Sequence, residues 1–374
     1  MYFRNSYLFI FLLTSLFFAQ KGVSQSAHFD FIATTVDQYD SPWAIEFLPD
    51  NRILVSEMRG SVKLLNREGS SIGEVTGLPE VAYGGQGGLG DIVLHPSFAK
   101  NRLLYLSYAE AGPGKTFGAA VARGKLSLTP SGGALTEVEV IWRQVPKVKG
   151  RGHFGHRIVF GPNNYLWISS GERQKFDPAQ NMISNLGKIV RLYGDGSAVE
   201  DNPFGSSDLI TSQIWSLGHR NPLGLSFGLN GRLWTVEMGP RGGDELNLVR
   251  RGSNYGYPVV SNGDHYSGED IPDHDTRHEY SPPAITWTRV ISPSSMMVYD
   301  GNEFPQWRGN AFIGGLSSKA LVRVVLDGDD AQEAQRFDMG FRVRDVEQGP
   351  EGAIWLLEDG RRGSGNLVKL TSRN

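Results

Sequence analysis

Apolar and polar positions along this chain fall in short bursts on a period near two, and the bursts come in pairs around turn residues. The first pair covers 44–48 and 52–57 about Pro49-Asp50-Asn51. The second covers 91–94 and 103–108 beyond His95-Pro96. The third covers 157–160 and 165–169 about Gly161-Pro162-Asn163-Asn164. The fourth covers 224–227 and 232–237 about Leu229-Asn230-Gly231. A looser fifth covers 296–299 and 311–314 after Asp300-Gly301, and the sixth covers 344–348 and 353–358 about Pro350-Glu351-Gly352. Each pair reads as a β-hairpin, and further strands follow several of them, as at 60–65 and 365–370. No long stretch with a helical period competes. Repeats of roughly 60 residues made of strands and turns imply a radial array. The expected fold is therefore all-β, a six-bladed β-propeller with four-stranded antiparallel blades spanning 27–374, and a strand at 28–36 completes the last blade. The inserts 109–118, 177–202 and 261–283 read as loops on one face, where ligand sites form.

Composition narrows the function classes. Of 374 residues, 47 are Gly and none is Cys, so disulfides, thiolate nucleophiles and zinc–thiolate sites are excluded. A net charge of −3 lacks the basic excess of a nucleic-acid binder. Residues 1–26 read as a signal peptide: Arg4 is the basic start, 7–19 the apolar run, and Ser24-Gln25-Ser26-Ala27 the processing region. The apolar run is short for a bilayer span, so the mature chain is expected without a transmembrane domain, in the periplasm or secreted.

Candidate chemistry collects where inner strands begin. Gly85-Gln86-Gly87-Gly88-Leu89-Gly90 fits G-x-G-x-x-G, but a strand follows it instead of a helix, so a dinucleotide site is rejected. Gln86 is its one reaching side chain. His153 precedes the third inner strand and could be a general base; a structural histidine in a turn is the alternative, and the residues alone leave both open. His156 and His219 read as structural. Arg220, Arg342 and Arg344 occupy equivalent places before the fourth and sixth inner strands and together suggest an anion site, against local pairing with Asp345 or Glu347. Glu237-Met238-Gly239-Pro240 offers carbonyls to a hard cation. The acids and histidines of 261–283, among them Asp264, His265 and His274, match no standard ligand spacing and read as a solvated loop.

Taken in order, Gly85–Leu89, His153-Phe154-Gly155, the segment from Gly218-His219-Arg220-Asn221-Pro222 to Leu225, Glu237-Met238-Gly239-Pro240, Asp244-Glu245-Leu246-Asn247, Asn254-Tyr255-Gly256-Tyr257-Pro258 and Arg342-Val343-Arg344-Asp345 make the chain resemble the soluble aldose sugar dehydrogenases of the quinoprotein glucose/sorbosone dehydrogenase family. The resemblance covers nearly all of the mature chain. It implies a six-bladed propeller using pyrroloquinoline quinone (PQQ) and Ca2+ to oxidise aldoses at the anomeric carbon to lactones. It implies His153 as the base, with Gln86, Arg220 and Asn221 around quinone and substrate. Arg342 and Arg344 match ligands of the cofactor's carboxylates. The carbonyls of Gly239 and Pro240 match ligands of the active-site calcium, and Glu245 and the Tyr255 carbonyl match a second calcium site.

Three departures stand out. Glu172 takes the place where the family often has an Asp to orient the base, and Ser317 takes the place of a basic residue near the cofactor. The stretch Trp287-Thr288-Arg289 is offset, with Arg289 a candidate to replace the lost charge. Two alternatives to the aldose dehydrogenase are a propeller binding sugar or protein without redox chemistry and a calcium-dependent sugar lactonase. The preferred aldose, the external electron acceptor and the choice between monomer and homodimer are not readable from the sequence.

Overall fold

A computed structural model describes Met1 and residues 31–205, 208–360 and 363–373. The proposed signal peptide and residues 27–30 therefore fall outside the described residues, Met1 apart. No helix among the described residues is long and apolar enough to cross a membrane.

The described chain is almost entirely β, and its one α-helix is the single turn Phe98–Asn101, inside the connection read as a turn at His95-Pro96. The strands form six four-stranded antiparallel units. The first two units merge into one larger sheet through a short parallel pairing of Ser71–Thr76 with Gly132–Arg143. The last unit is completed by Phe31–Tyr39, which pairs antiparallel with Gly365–Ser372, so the chain's beginning and end share a sheet. The innermost strands are Pro42–Phe47, Leu89–Leu94, Gly155–Phe160, Pro222–Phe227, Pro293–Val298 and Val343–Gln348. Each contacts the next, and the sixth returns to the first, which closes a ring. Two expectations are corrected: 177–202 is not all loop, since Lys188–Leu192 is a buried strand paired on both sides, and neither is 109–118 a loop. The segment 109–118 is the tip of a hairpin between Leu103–Gly112 and Thr116–Thr129.

The repeat in the sequence becomes a repeat in packing. A Trp follows the first residue of the second strand at Trp167, Trp234 and Trp355. Trp167 meets Phe227 edge-on at 5.7 Å and Trp355 meets Phe47 edge-on at 5.9 Å, so each ring seats against the last residue of the neighbouring inner strand. Deeper in, a serine in the second strand accepts an N–H from its own unit and donates to a carbonyl of the next. Ser56 joins Ala44 to Gly90, Ser107 joins Asp91 to His156, and Ser169 joins Arg157 to Pro222.

One side chain touches every unit. Arg157 pairs with Asp91 and Asp345 at 3.1 Å each, donates to the carbonyls of Leu223 and Ser294, and lies 4.4 Å from the Trp43 ring. Burial pushes Asp91 up to about 7 despite Arg157, which shows how costly these charges would be unpaired.

Each of the six inner strands carries a β-bulge near its start. A bulge adds a residue and re-aims a side chain. The extra residues Trp43, His156, Leu223 and Arg344 all line one central cavity, so the irregularity in four of the six strands helps build the site.

Candidate active site

The cavity has a volume of about 390 Å³, within the range of small-molecule sites. Its lining includes Gln86, Asn221, Ser317, Arg342 and Arg344, together with Tyr83, Met238 and Asp359.

His153 stands just before the third inner strand, buried, with φ +49. That left-handed backbone costs a non-glycine residue about 1–3 kcal/mol, so the surroundings must enforce it. Its N–H donates to Gln86 Oε1 at 2.7 Å, and its carbonyl accepts from the Arg173 N–H at 3.2 Å. Gly171 must lack a Cβ, which would fall 2.2 Å from the His153 oxygen.

Glu172 is fully buried and reaches the imidazole: its Oε1 lies 2.5 Å from His153 Nδ1. Its Oε2 accepts the backbone N–H groups of Phe176, at 2.8 Å, and Lys175. The extra methylene relative to Asp is thus taken up by a loop in which Arg173, Gln174 and Phe176 all have positive φ. Burial pushes Glu172 up, but its bond to His153 and its backbone donors outweigh it and hold the carboxyl below the usual range. An ionised carboxylate can only accept, so Nδ1 carries the imidazole proton and Nε2 keeps a lone pair. No hydrogen bond occupies Nε2 among the described residues, and it is not among the sealed orphan atoms. Burial, helped by Arg220 and Arg173 and opposed by Glu172, lowers the His153 pKa, so the ring is neutral at neutral pH.

Arg342 and Arg344 both reach Asp359, at 2.7 and 2.6 Å, and neither takes Asp345 or Glu347 as its partner in an ion pair. Two guanidiniums converge on one carboxylate on the cavity wall. Burial raises Asp359, but the two arginines overcome it and hold its carboxyl low. Arg220 is buried, donates to the Met238 carbonyl at 2.9 Å, and has its Nε without a partner. The Arg220 carbonyl accepts the Glu172 N–H at 2.9 Å, which ties it to the His153–Glu172 pair. Asn221 accepts from the Gly155 N–H at 3.3 Å. Ser317 lines the cavity but bonds to Ser292, and Arg289 is exposed and outside the lining.

The predicted calcium ligands separate into two places. Gly239 and Pro240 follow the cavity residue Met238, and Gly239 is fixed through its N–H to Asp244 at 3.0 Å. Their carbonyls take no hydrogen bond among the described residues. Glu245 and Tyr255 lie apart, in a buried cluster with Glu237, His219 and Asn247. Burial and the nearby Glu237 push Glu245 well above its usual range, and Asn247 Oδ1 is buried without a partner. Unsatisfied hard oxygens beside a strained carboxylate fit a hard cation. The Tyr255 carbonyl accepts from His274 at 3.1 Å, and no cluster of three or more His, Asp or Glu is poised for a metal among the described residues. His274 is therefore a buried structural group, against its reading as part of a solvated loop.

Several contributors carried no signal in the sequence. Asp359 had only its place, one residue past a second strand as Glu172 is two past, and Gln144 had none. Gln144 Nε2 donates to the carbonyls of Phe154 and Gly171, bracketing both members of the His–Glu pair.

The family described as Glucose / Sorbosone dehydrogenase matches residues 39–369. The aldose sugar dehydrogenase YliI of Escherichia coli strain K12 is 39% identical over 346 residues, covering 90% of this chain and 92% of that protein. The crystal structure of the soluble aldose sugar dehydrogenase from Escherichia coli in the apo-form superposes with a TM-score of 0.87 at 37% identity, covering 92% of this chain and all of that one. The PQQ-bound form of aldose sugar dehydrogenase from Streptomyces coelicolor gives a TM-score of 0.73 at 28% identity, over 91% of this chain and 98% of the other. With near-complete coverage in sequence and in shape, this chain belongs to the glucose/sorbosone dehydrogenase family.

Proposed function

We propose that this protein is an exported, PQQ- and calcium-dependent aldose dehydrogenase on a six-bladed propeller, oxidising sugars at the anomeric carbon to lactones. The observation that carries the reading is the His153–Glu172 pair, whose Nε2 takes no hydrogen bond among the described residues, joined through Gln86 and Phe154 to a cavity whose lining includes Arg342 and Arg344. The residues fit the cofactor: a polyanion suits two arginines on one cavity wall, and Arg220 offers a buried donor, its Nε without a partner. Arg342 and Arg344 would hold its carboxylates, with Arg220 and Asn221 beside it. Gly239 and Pro240 would hold the active-site calcium, and Glu245 and Tyr255 a second, structural one. When bound, the quinone and its calcium supply the acceptor for the hydride equivalent leaving the anomeric carbon.

The chain's own groups do the rest. His153 Nε2 takes the proton of the anomeric hydroxyl. Glu172 holds the ring's tautomer and stabilises the imidazolium as it forms. Gln86 fixes the His153 backbone, so the base meets the sugar at one angle. Arg220 places positive charge near the developing oxyanion. The lactonase alternative wants free carboxylates on the axis, yet Asp91 and Asp345 are tied to Arg157.

Reconstitution of the purified protein with the quinone and calcium, followed by dye reduction with a panel of aldoses, tests the reading. Sugar-dependent reduction is expected, and its absence with verified cofactor binding refutes the enzyme.

A further inference from the structure

We infer that Arg173 is a positioning residue for the base, a buried guanidinium that clamps 150–153 and so sets where His153 and Gln86 stand. This rests on the reading of His153 as the base.

The segment it holds has little stiffness of its own. Gly150 has φ +102, and a Cβ on Gly152 would push against the end of the Gln174 side chain, 2.4 Å away. Arg173 collects the carbonyls of this segment. Its Nε donates to Gly152 at 2.8 Å, one terminal nitrogen to Gly150 at 2.6 Å, and its backbone N–H to His153 at 3.2 Å. The other terminal nitrogen anchors the group to the Phe117 carbonyl at 2.6 Å, in the neighbouring unit. The planar fork of Arg meets three fixed acceptors at once, which an ammonium on a flexible stem cannot do.

The clamp reaches Gln86 by a second route. Arg151, between the two glycines, accepts the Gln86 N–H on its carbonyl at 2.8 Å and donates to the carbonyls of Ala82 and Tyr83. Gln86 then accepts the His153 N–H. One arginine therefore organises both sides of the base.

Its charge has a consequence as well. Arg173 is 1% exposed, lies 3.6 Å from the Phe154 ring, and forms no ion pair with a carboxylate among the described residues. Filling the same space with an apolar side chain would avoid the cost of burying a guanidinium. The charged groups facing His153 are Glu172, which favours the imidazolium, and Arg220 and Arg173, which with burial oppose it. Arg173 thus helps keep the base in its proton-accepting form.

The test uses Arg173→Met and Arg173→Lys in the full chain, with two readouts. The first is kcat and KM against pH for the reconstituted enzyme. The second is the pH titration of the His153 ring resonance by NMR in the protein without cofactor. For Arg173→Met we expect kcat to fall about tenfold or more with KM changed less than about threefold, and both the acid limb and the resonance to move to higher pH. Arg173→Lys should restore the titration, because the charge remains, while kcat stays low, because the three carbonyls are no longer all met. A kcat within about twofold of wild type in both variants, with an unmoved titration, overturns the proposal. If the Met variant does not fold, the Lys variant decides through kcat alone, and an unchanged value sinks the idea. If the wild type oxidises no aldose, the base reading falls, and the titration separately decides whether Arg173 governs the imidazole.

Discussion

Two histidine–glutamate pairs sit in adjacent sheet units, and their difference separates chemistry from architecture. His153 meets Glu172 through Nδ1 at 2.5 Å, and His219 meets Glu237 through Nδ1 at 2.9 Å. Both precede an inner strand, and both acids lie at or just past the end of the second strand. At His219 the other ring nitrogen is taken by Ser216 Oγ at 2.8 Å, the side chain is fully buried, and the ring stacks on Tyr255 at 4.7 Å. At His153 the other nitrogen takes no hydrogen bond among the described residues, and the next residue, Phe154, lines the cavity. Glu237 also accepts the Arg220 N–H at 2.7 Å and shares Asn247 with Glu245, so the second pair braces the turn that carries Arg220 and Asn221. The same dyad is a brace where both nitrogens are used, and the proposed base is the one whose second nitrogen is spare.

The largest expected effect breaks the pairs apart. His153→Ala should lower kcat about 10³-fold or more with little change in the unfolding midpoint. His219→Ala should instead cost roughly 3 kcal/mol of stability in urea unfolding, because Glu237 loses a partner in a dry site. Equal loss of turnover in both variants with unchanged stability would erase the distinction.

A smaller effect probes the acid. Glu172→Gln keeps the shape but removes the charge that holds the tautomer, and should lower kcat about 10–100-fold while cofactor affinity, followed by absorbance titration, holds. An unaffected rate would mean that the tautomer is fixed by another group.

The mildest prediction is a pH profile. The folded His153 pKa lies below its usual value of about 6.5, so kcat/KM should be flat above that pH and fall about tenfold per unit only once pH passes below the lowered value. The stability sign follows. The unfolded chain takes up this proton first, so stability present above about pH 6.5 is lost as pH falls toward the folded value. An acid limb above the usual histidine range would contradict the burial argument.

Much of the architecture was legible from the chain alone. The six hairpins, the third strands at 60–65 and 365–370, and the early strand all appear where the alternation placed them, with edges shifted by a few residues. The hairpin at 109–118 was misread because glycine and alanine there give no contrast between the two faces. In the site, Gln86, Asn221, Ser317, Arg342 and Arg344 gather around one cavity, and His153 joins Glu172. Asp359, Gln144 and the clamp by Arg173 gave no local sign. They act through side-chain reach across 10 to 60 positions of sequence, and no periodicity encodes that distance.

The sequence by itself determined the six hairpins, because side-chain alternation and turn propensity are local properties of adjacent residues. It also marked Gln86, Asn221, Ser317, Arg342 and Arg344, which the structure gathers around one cavity. Only the tertiary structure decided which histidine keeps a free nitrogen, which acid Arg342 and Arg344 share, and that Arg157 joins all six units. Those outcomes depend on which groups are desolvated together, and burial is a property of the closed ring and not of any segment in it.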